Sequence, residues 1–232
     1  GITNSFFQQL DTFDTNVDPF CIILIVKPLV KDDMNAELCK PFSEEEVREA
    51  IFGSYSHGAP GPDGLSFLFL QQFWDTIKTD IMAMFTNFYN GDLDIYRLNF
   101  AILTLIPKEK EATTMNIFRP ISILNCIFRL FTKVLTNRLV VLMNLLTSNN
   151  RTAFIKGRFI LESVVTAHEV LHSTYQSGCP GLVLKLDYEK AFDKVNLDFL
   201  MEILEKRNFG HKWMKWIHQI THLGLWGSNL ME

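Results

Sequence analysis

Within residues 167–195, AHEVLHSTYQSGCPGLVLKLDYEKAFDKV, two short patterns carry side chains capable of chemistry. HEVLH sets His168 and His172 four apart on a predicted helix, so both rings share one face, with Glu169 where a zinc hydrolase keeps its general base. LVLKLD alternates as a strand does. Val183, Lys185 and Asp187 fall on one face, and Leu182, Leu184 and Leu186 on the other, which should pack inward. Asp187 then stands at the strand's end, the usual position of a metal-binding carboxylate in an α/β site, and the turn YEKAF brings Phe192 close beside it.

The two patterns are unequal. A catalytic zinc needs three protein ligands. The extended histidine motif wants Gly at 175 and His at 178, where the chain has Tyr175 and Gly178. A glutamate third ligand could only be a residue such as Glu189, which follows a predicted strand instead of lying on a second helix. A zinc hydrolase is therefore the weakest functional reading, although a lone Asp after an apolar run is also common and decides nothing by itself.

The elements that must position these residues follow from composition and period. The chain is 47% apolar and globular in character, and its one long apolar run, FCIILIV, is closed by Lys27 and Pro28 well short of a membrane span. Cys21, Cys39, Cys126 and Cys179 are widely spaced without a CxxC pair, which points away from a disulfide framework and toward a reducing intracellular setting, nucleus or cytoplasm. The opening GITNSFFQQL has neither an initiator methionine nor a signal region, as expected of a piece of something longer.

Charge is distributed unevenly. Residues 1–96 carry 15 acids and 5 Lys/Arg, a net of −10, whereas residues 97–160 carry 2 acids and 10 Lys/Arg, a net of +8. A basic middle between acidic parts suits a face that meets phosphates, and equally suits a set of solvated helix faces.

Residues 1–40 show no sustained period and read as an N-terminal extension. Ser43 with Glu46 forms a capping box ahead of the stripe Val47, Ala50, Ile51, so a helix begins there and must end by Gly53. GAPGPDG permits only turns. Residues 67–90 read as two amphipathic helices burying Phe69, Phe73, Trp74, Ile77, Ile81, Met84, Phe85 and Phe88, stopped by Gly91. AILTLIPK and FRPISIL read as paired strands. Residues 125–146 turn helical with Arg129, Lys133 and Arg138 opposite the apolar side; further helices are predicted over 159–172, 197–207 and 211–223. With no internal repeat and no regular βαβ winding, the fold class is α+β.

FSEEEVREAIF, GAPGPDG, LTLIPK, FRPISILN, FTKVLTNRL, AFIKGRFI, LVLKLDYEKAFDKV and HKWMKWI occur in this order between Pro41 and Trp216. Together they resemble the reverse transcriptase of non-LTR retrotransposons, the long-interspersed-element type abundant in plants. The resemblance implies an incomplete right-hand polymerase, with fingers over residues 41–180 and the start of a palm over 181–232. It implies an RNA template, a DNA primer, deoxynucleoside triphosphates and Mg2+, since two-metal transfer needs carboxylates that bridge both ions.

By the same resemblance Asp187 is the first catalytic, metal-binding aspartate, Tyr188 offers its backbone carbonyl, and Phe192 crowds a ribose 2′-hydroxyl. Lys108 and Arg119 match the residues that clasp the incoming triphosphate, a task suited to an ammonium point charge and a guanidinium fork. Arg138, Lys156 and Arg158 become candidates for template phosphate contacts, and GAPGPDG resembles a loop that lies against template RNA.

The sequence departs from the family pattern after Asp187. The remaining acids are Glu189, Asp193, Asp198, Glu202, Glu205 and Glu232, with no Asp-Asp pair; the only such pair, Asp32 and Asp33, stands far upstream. One carboxylate cannot hold two magnesium ions against water, so the chain alone is expected not to polymerise DNA. A non-catalytic RNA-binding remnant is the alternative.

Overall fold

The computed structural model describes residues 23–111, 113–114, 117–178, 180–188 and 195–221. In chain order the elements are α1 (Asp32–Leu38), α2 (Glu44–Phe52), α3 (Phe67–Gln72), α4 (Trp74–Asn90), a 3-10 turn (Ile95–Leu98), β1 (Ala101–Pro107), β2 (Phe118–Leu124), α5 (Cys126–Val140), α6 (Met143–Leu146), α7 (Ile160–Ser177), α8 (Leu197–Lys206) and α9 (His211–Thr221).

Helix α2 begins where the sequence places it. The Ser43 hydroxyl accepts from the Glu46 N–H at 3.1 Å, and Val47, Ala50 and Ile51 are fully buried. The Glu46 side chain does not complete the box; it turns to Arg138. Helices α3 and α4 are separated at Phe73, and Gly91 stops α4 at φ 86°, a left-handed position that suits glycine.

The core is aromatic. Phe85 of α4 stacks on Phe131 of α5 at 4.1 Å between centroids, and Phe88 stacks on Trp216 of α9 at 5.4 Å. Phe42 caps the cluster, 5.1 Å from Phe85 and 5.3 Å from Trp216. Burying such rings is the largest single source of hydrophobic stabilisation available to the chain, about 2–3 kcal/mol for each complete side chain.

Several expectations are corrected. Residues 30–40, aperiodic in sequence, form α1 and join the core through Val30 and Leu38, each 2% exposed. Polar contacts hold this segment down: Leu29 and Val30 donate to the Arg207 carbonyl, and Asn35 bridges Asn208 and Gly210. Seven residues are too few to display a helical period, so the burial could not be read in advance. Phe69 and Phe73 are partly exposed, at 38% and 48%, and pack on each other at 4.8 Å, because the core-facing stripe is taken by Phe67, Leu70 and Trp74. Helix α7 continues past His172 to Ser177, where Gly178 ends it in the left-handed region.

Residues 182–188 do not form a strand. They carry no regular secondary structure and are exposed, with Leu182 and Leu184 open to solvent, so the apolar face does not pack inward. A strand is defined by a neighbour that accepts its backbone hydrogen bonds, and the sheet formed by the described residues is the β1–β2 pair alone. Helix α7 likewise has no fully buried residue. No helix among the described residues is long and apolar enough to cross a membrane.

Candidate active site

Antiparallel β1 and β2 pair from Ala101 opposite Leu124 to Pro107 opposite Phe118, and the Lys108 N–H continues the ladder to the Ile117 carbonyl at 2.8 Å. Because directly opposed residues share a face and alternate residues repeat it, Thr104, Ile106, Arg119 and Ile121 lie on one side. Arg119 stands exposed opposite Ile106, and Lys108, exposed at the bend that follows Pro107, stands at the same end of the hairpin. Two cations beside two half-exposed isoleucines make a surface that can bind an anion attached to a flat apolar group.

The base of this hairpin is tied into the core. Asp63 of GAPGPDG reaches the start of α5, where its Oδ2 accepts from the Cys126 N–H at 2.6 Å while Oδ1 accepts from Leu65 N–H at 3.1 Å. The Asp63 N–H donates to Asn125 Oδ1 at 3.0 Å, and Asn125 Nδ2 donates to the Leu98 carbonyl at 3.1 Å. Gly61 presses on the end of β2 so closely that a Cβ would lie 2.3 Å from the Leu124 carbonyl oxygen. Sequence reasoning missed this cluster. Its only signal is an Asp inside the turn motif and an Asn just before a helical period.

The other candidate residues separate. Arg138 is withdrawn from the phosphate-contact set: it is 8% exposed, pairs with Glu46, and donates to the carbonyls of Leu38, Lys40 and Pro41. It lies on the buried side of α5 because its guanidinium spans the α5–α2 gap and closes the turn between α1 and α2. Arg158 donates to the carbonyls of Ser148 at 2.5 Å and Arg151 at 2.7 Å, so it shapes the 148–158 loop from which Lys156 projects, exposed. Arg129 lays its guanidinium 5.4 Å from the Phe67 ring centroid.

Asp187 and Tyr188 stand on the exposed irregular segment, and Phe192 lies outside the described residues. His168, Glu169 and His172 lie exposed along α7. Among the described residues no three His, Cys, Asp or Glu side chains gather as a metal site. A single exposed carboxylate does not fit a two-ion centre.

Two thiols are perturbed. Burial pushes the Cys126 thiol up to about 11, with Arg129 opposing the shift and Asp63 adding to it. Burial also raises the Cys39 thiol, against the Trp213 backbone N–H and the Lys212 and Arg138 cations. Cys39 and Cys126 are both unpaired, and Cys21 and Cys179 lie outside the described residues.

Comparison with known proteins bears on the same segment. The family model described as reverse transcriptase (RNA-dependent DNA polymerase) matches residues 106–229, more than half of the chain, beginning at the tip of the hairpin. The transposon TX1 uncharacterized 149 kDa protein of Xenopus laevis is 28% identical over 191 residues, 82% of this chain and 14% of its own length. The Pol polyproteins from the type-1 retrotransposable element R2 of Nasonia vitripennis and Popillia japonica are each 26% identical, over 78% and 72% of this chain and 17% and 22% of their own lengths. The chain thus spans less than a quarter of the length of the curated relatives it matches. It belongs to the reverse transcriptase (RNA-dependent DNA polymerase) family, on the non-LTR retrotransposon side of that family.

Proposed function

We propose that the chain supplies the fingers, over residues 41–180, and the start of the palm, over residues 181–232, of an RNA-directed DNA polymerase. The observation that carries this reading is that the hairpin brings two exposed cations, Arg119 on β2 and Lys108 just past β1, to the same end, inside the segment the family model covers. In this role the two cations hold the triphosphate of an incoming deoxynucleotide, Arg119 through its fork and Lys108 as a point charge. Lys156, at the turn braced by Arg158, and the outward residues of GAPGPDG meet template RNA.

Asp187 is the one family carboxylate the chain carries, with Tyr188 beside it and Phe192 as the residue that excludes ribose. Divalent metal belongs to the chemistry of the family, and a two-ion centre requires partner carboxylates, whereas the acids that follow Asp187 in this sequence include no Asp-Asp pair. The chain by itself therefore binds RNA and triphosphate without extending a primer. Incubation of the purified chain with primed RNA template, deoxynucleoside triphosphates and Mg2+ should yield no extension product. A primer lengthened in a template-directed way would refute this.

A non-catalytic RNA-binding role is the second reading, favoured by the net +8 of residues 97–160. It predicts the same RNA affinity but no loss of triphosphate binding when Lys108 and Arg119 are neutralised.

A further inference from the structure

We propose that Asp63 and Asn125 are positioning residues for the Lys108–Arg119 clasp, an inference that rests on the triphosphate reading of those two cations. Helix α5 has a residue of the right type at its N-cap, Asn125, yet the Asn125 side chain caps nothing in its own helix. Its amide is spent on the Asp63 N–H and the Leu98 carbonyl. The capping is done instead by a carboxylate from 63 residues upstream, whose Oδ2 holds the first helical N–H at 2.6 Å. A carboxylate at that end of a helix is favoured both as a charge-assisted hydrogen bond and by the helix dipole.

The consequence is mechanical. Asp63 and Asn125 join the GAPGPDG loop, the 3-10 turn at Leu98 and the start of α5 at one point, and the Asn125 N–H donates to the carbonyl of Phe100, just before β1. That point is the base of the hairpin, because β2 ends at Leu124 and β1 begins at Ala101. Among the described residues the strands pair extensively only with each other, so their direction is set at the base and expressed at the tip, where Lys108 and Arg119 stand. The backbone of Gly61 against the Leu124 carbonyl removes the remaining freedom.

The loop also alternates. Gly61 is buried and Asp63 half-buried, while Pro60, Pro62 and Gly64 face out. One side of GAPGPDG is thus a clip, and only the other is available to a nucleic acid. The motif's aspartate acts on the fold of the site, not on the ligand.

The test uses inorganic tripolyphosphate as the probe, titrated by calorimetry into the whole chain, together with amide hydrogen exchange. Asp63→Ala should weaken tripolyphosphate binding roughly tenfold, the size of one lost charge-assisted hydrogen bond, and speed exchange at the Cys126 and Lys108 amides while amides inside α4 keep their protection. Asp63→Asn, which keeps one acceptor, should recover part of both. Arg119→Ala reports on the clasp alone: unchanged affinity there overturns the triphosphate reading, while the exchange data still decide whether Asp63 holds the hairpin. If Arg119→Ala weakens binding and Asp63→Ala leaves both affinity and Lys108 exchange unchanged, the positioning inference is wrong. Should Asp63→Ala fail to fold, Asn125→Ala decides, and no change in hairpin exchange or affinity in that variant overturns the proposal.

Discussion

Arg138 and Glu46, 92 residues apart, meet in a two-point ion pair, Nε to Oε1 at 2.6 Å and Nη2 to Oε2 at 2.8 Å. The same guanidinium lies 4.1 Å from the Phe42 ring centroid and holds three backbone carbonyls, so nearly every donor it has is used inside the protein.

Removing one partner of such a pair leaves a buried charge alone. Arg138→Ala should destabilise the chain by about 3–5 kcal/mol, measured as a fall in the urea midpoint. Glu46→Gln keeps one of the two acceptors while losing the charge, and should cost less. A stability change for Arg138→Ala within about 0.5 kcal/mol of zero, the range of an ordinary surface substitution, would place the residue back on the surface.

Cys126 gives the fold a dependence on alkaline pH. Its thiol keeps its proton to about pH 11 in the folded chain, against an ordinary value of 9.0 once unfolded. The folded state therefore binds more protons between these values, and the stability this group contributes is full below pH 9 and lost as pH rises through 11. The loss amounts to about 2–3 kcal/mol. The measurement that isolates this group is the difference in unfolding free energy between the unmodified chain and Cys126→Ala at pH 8 and pH 11; a difference that does not shrink refutes the assignment.

RNA binding should depend on the exposed cations and on salt. Neutralising Lys156 should lower the slope of log affinity against log salt by about 0.7, the value for one phosphate contact on a single strand, and on the non-catalytic RNA-binding reading neutralising Arg119 should do the same. Anisotropy with single-stranded RNA between low and moderate salt reads this directly. Equal slopes in the variants would remove both residues from the interface.

Local elements were legible because their signals are local. Ser43 with Glu46 announces the start of α2, Gly91 the end of α4, and the β-rich runs before Pro107 and after Arg119 announce a hairpin whose register then fixes which side chains share a face. The ordered motifs from FSEEEVREAIF to HKWMKWI likewise carried the family, since that information lies in residue types along the chain.

What the sequence by itself determined was therefore the order and type of most elements, the family, and the positions of Lys108, Arg119 and Asp187 along the chain. Tertiary structure alone decided which charges are available. Arg138 and Lys156 are the same in a charge count, yet one is enclosed by Glu46, Phe42 and three carbonyls, and the other stands on an open turn. Only the fold could show Asp63 capping a helix 63 residues away, or residues 182–188 lying exposed without a ladder partner among the described residues. Burial and hydrogen-bond partnership are set by residues distant in sequence, and a periodic pattern reports the face a side chain occupies but not what stands opposite it.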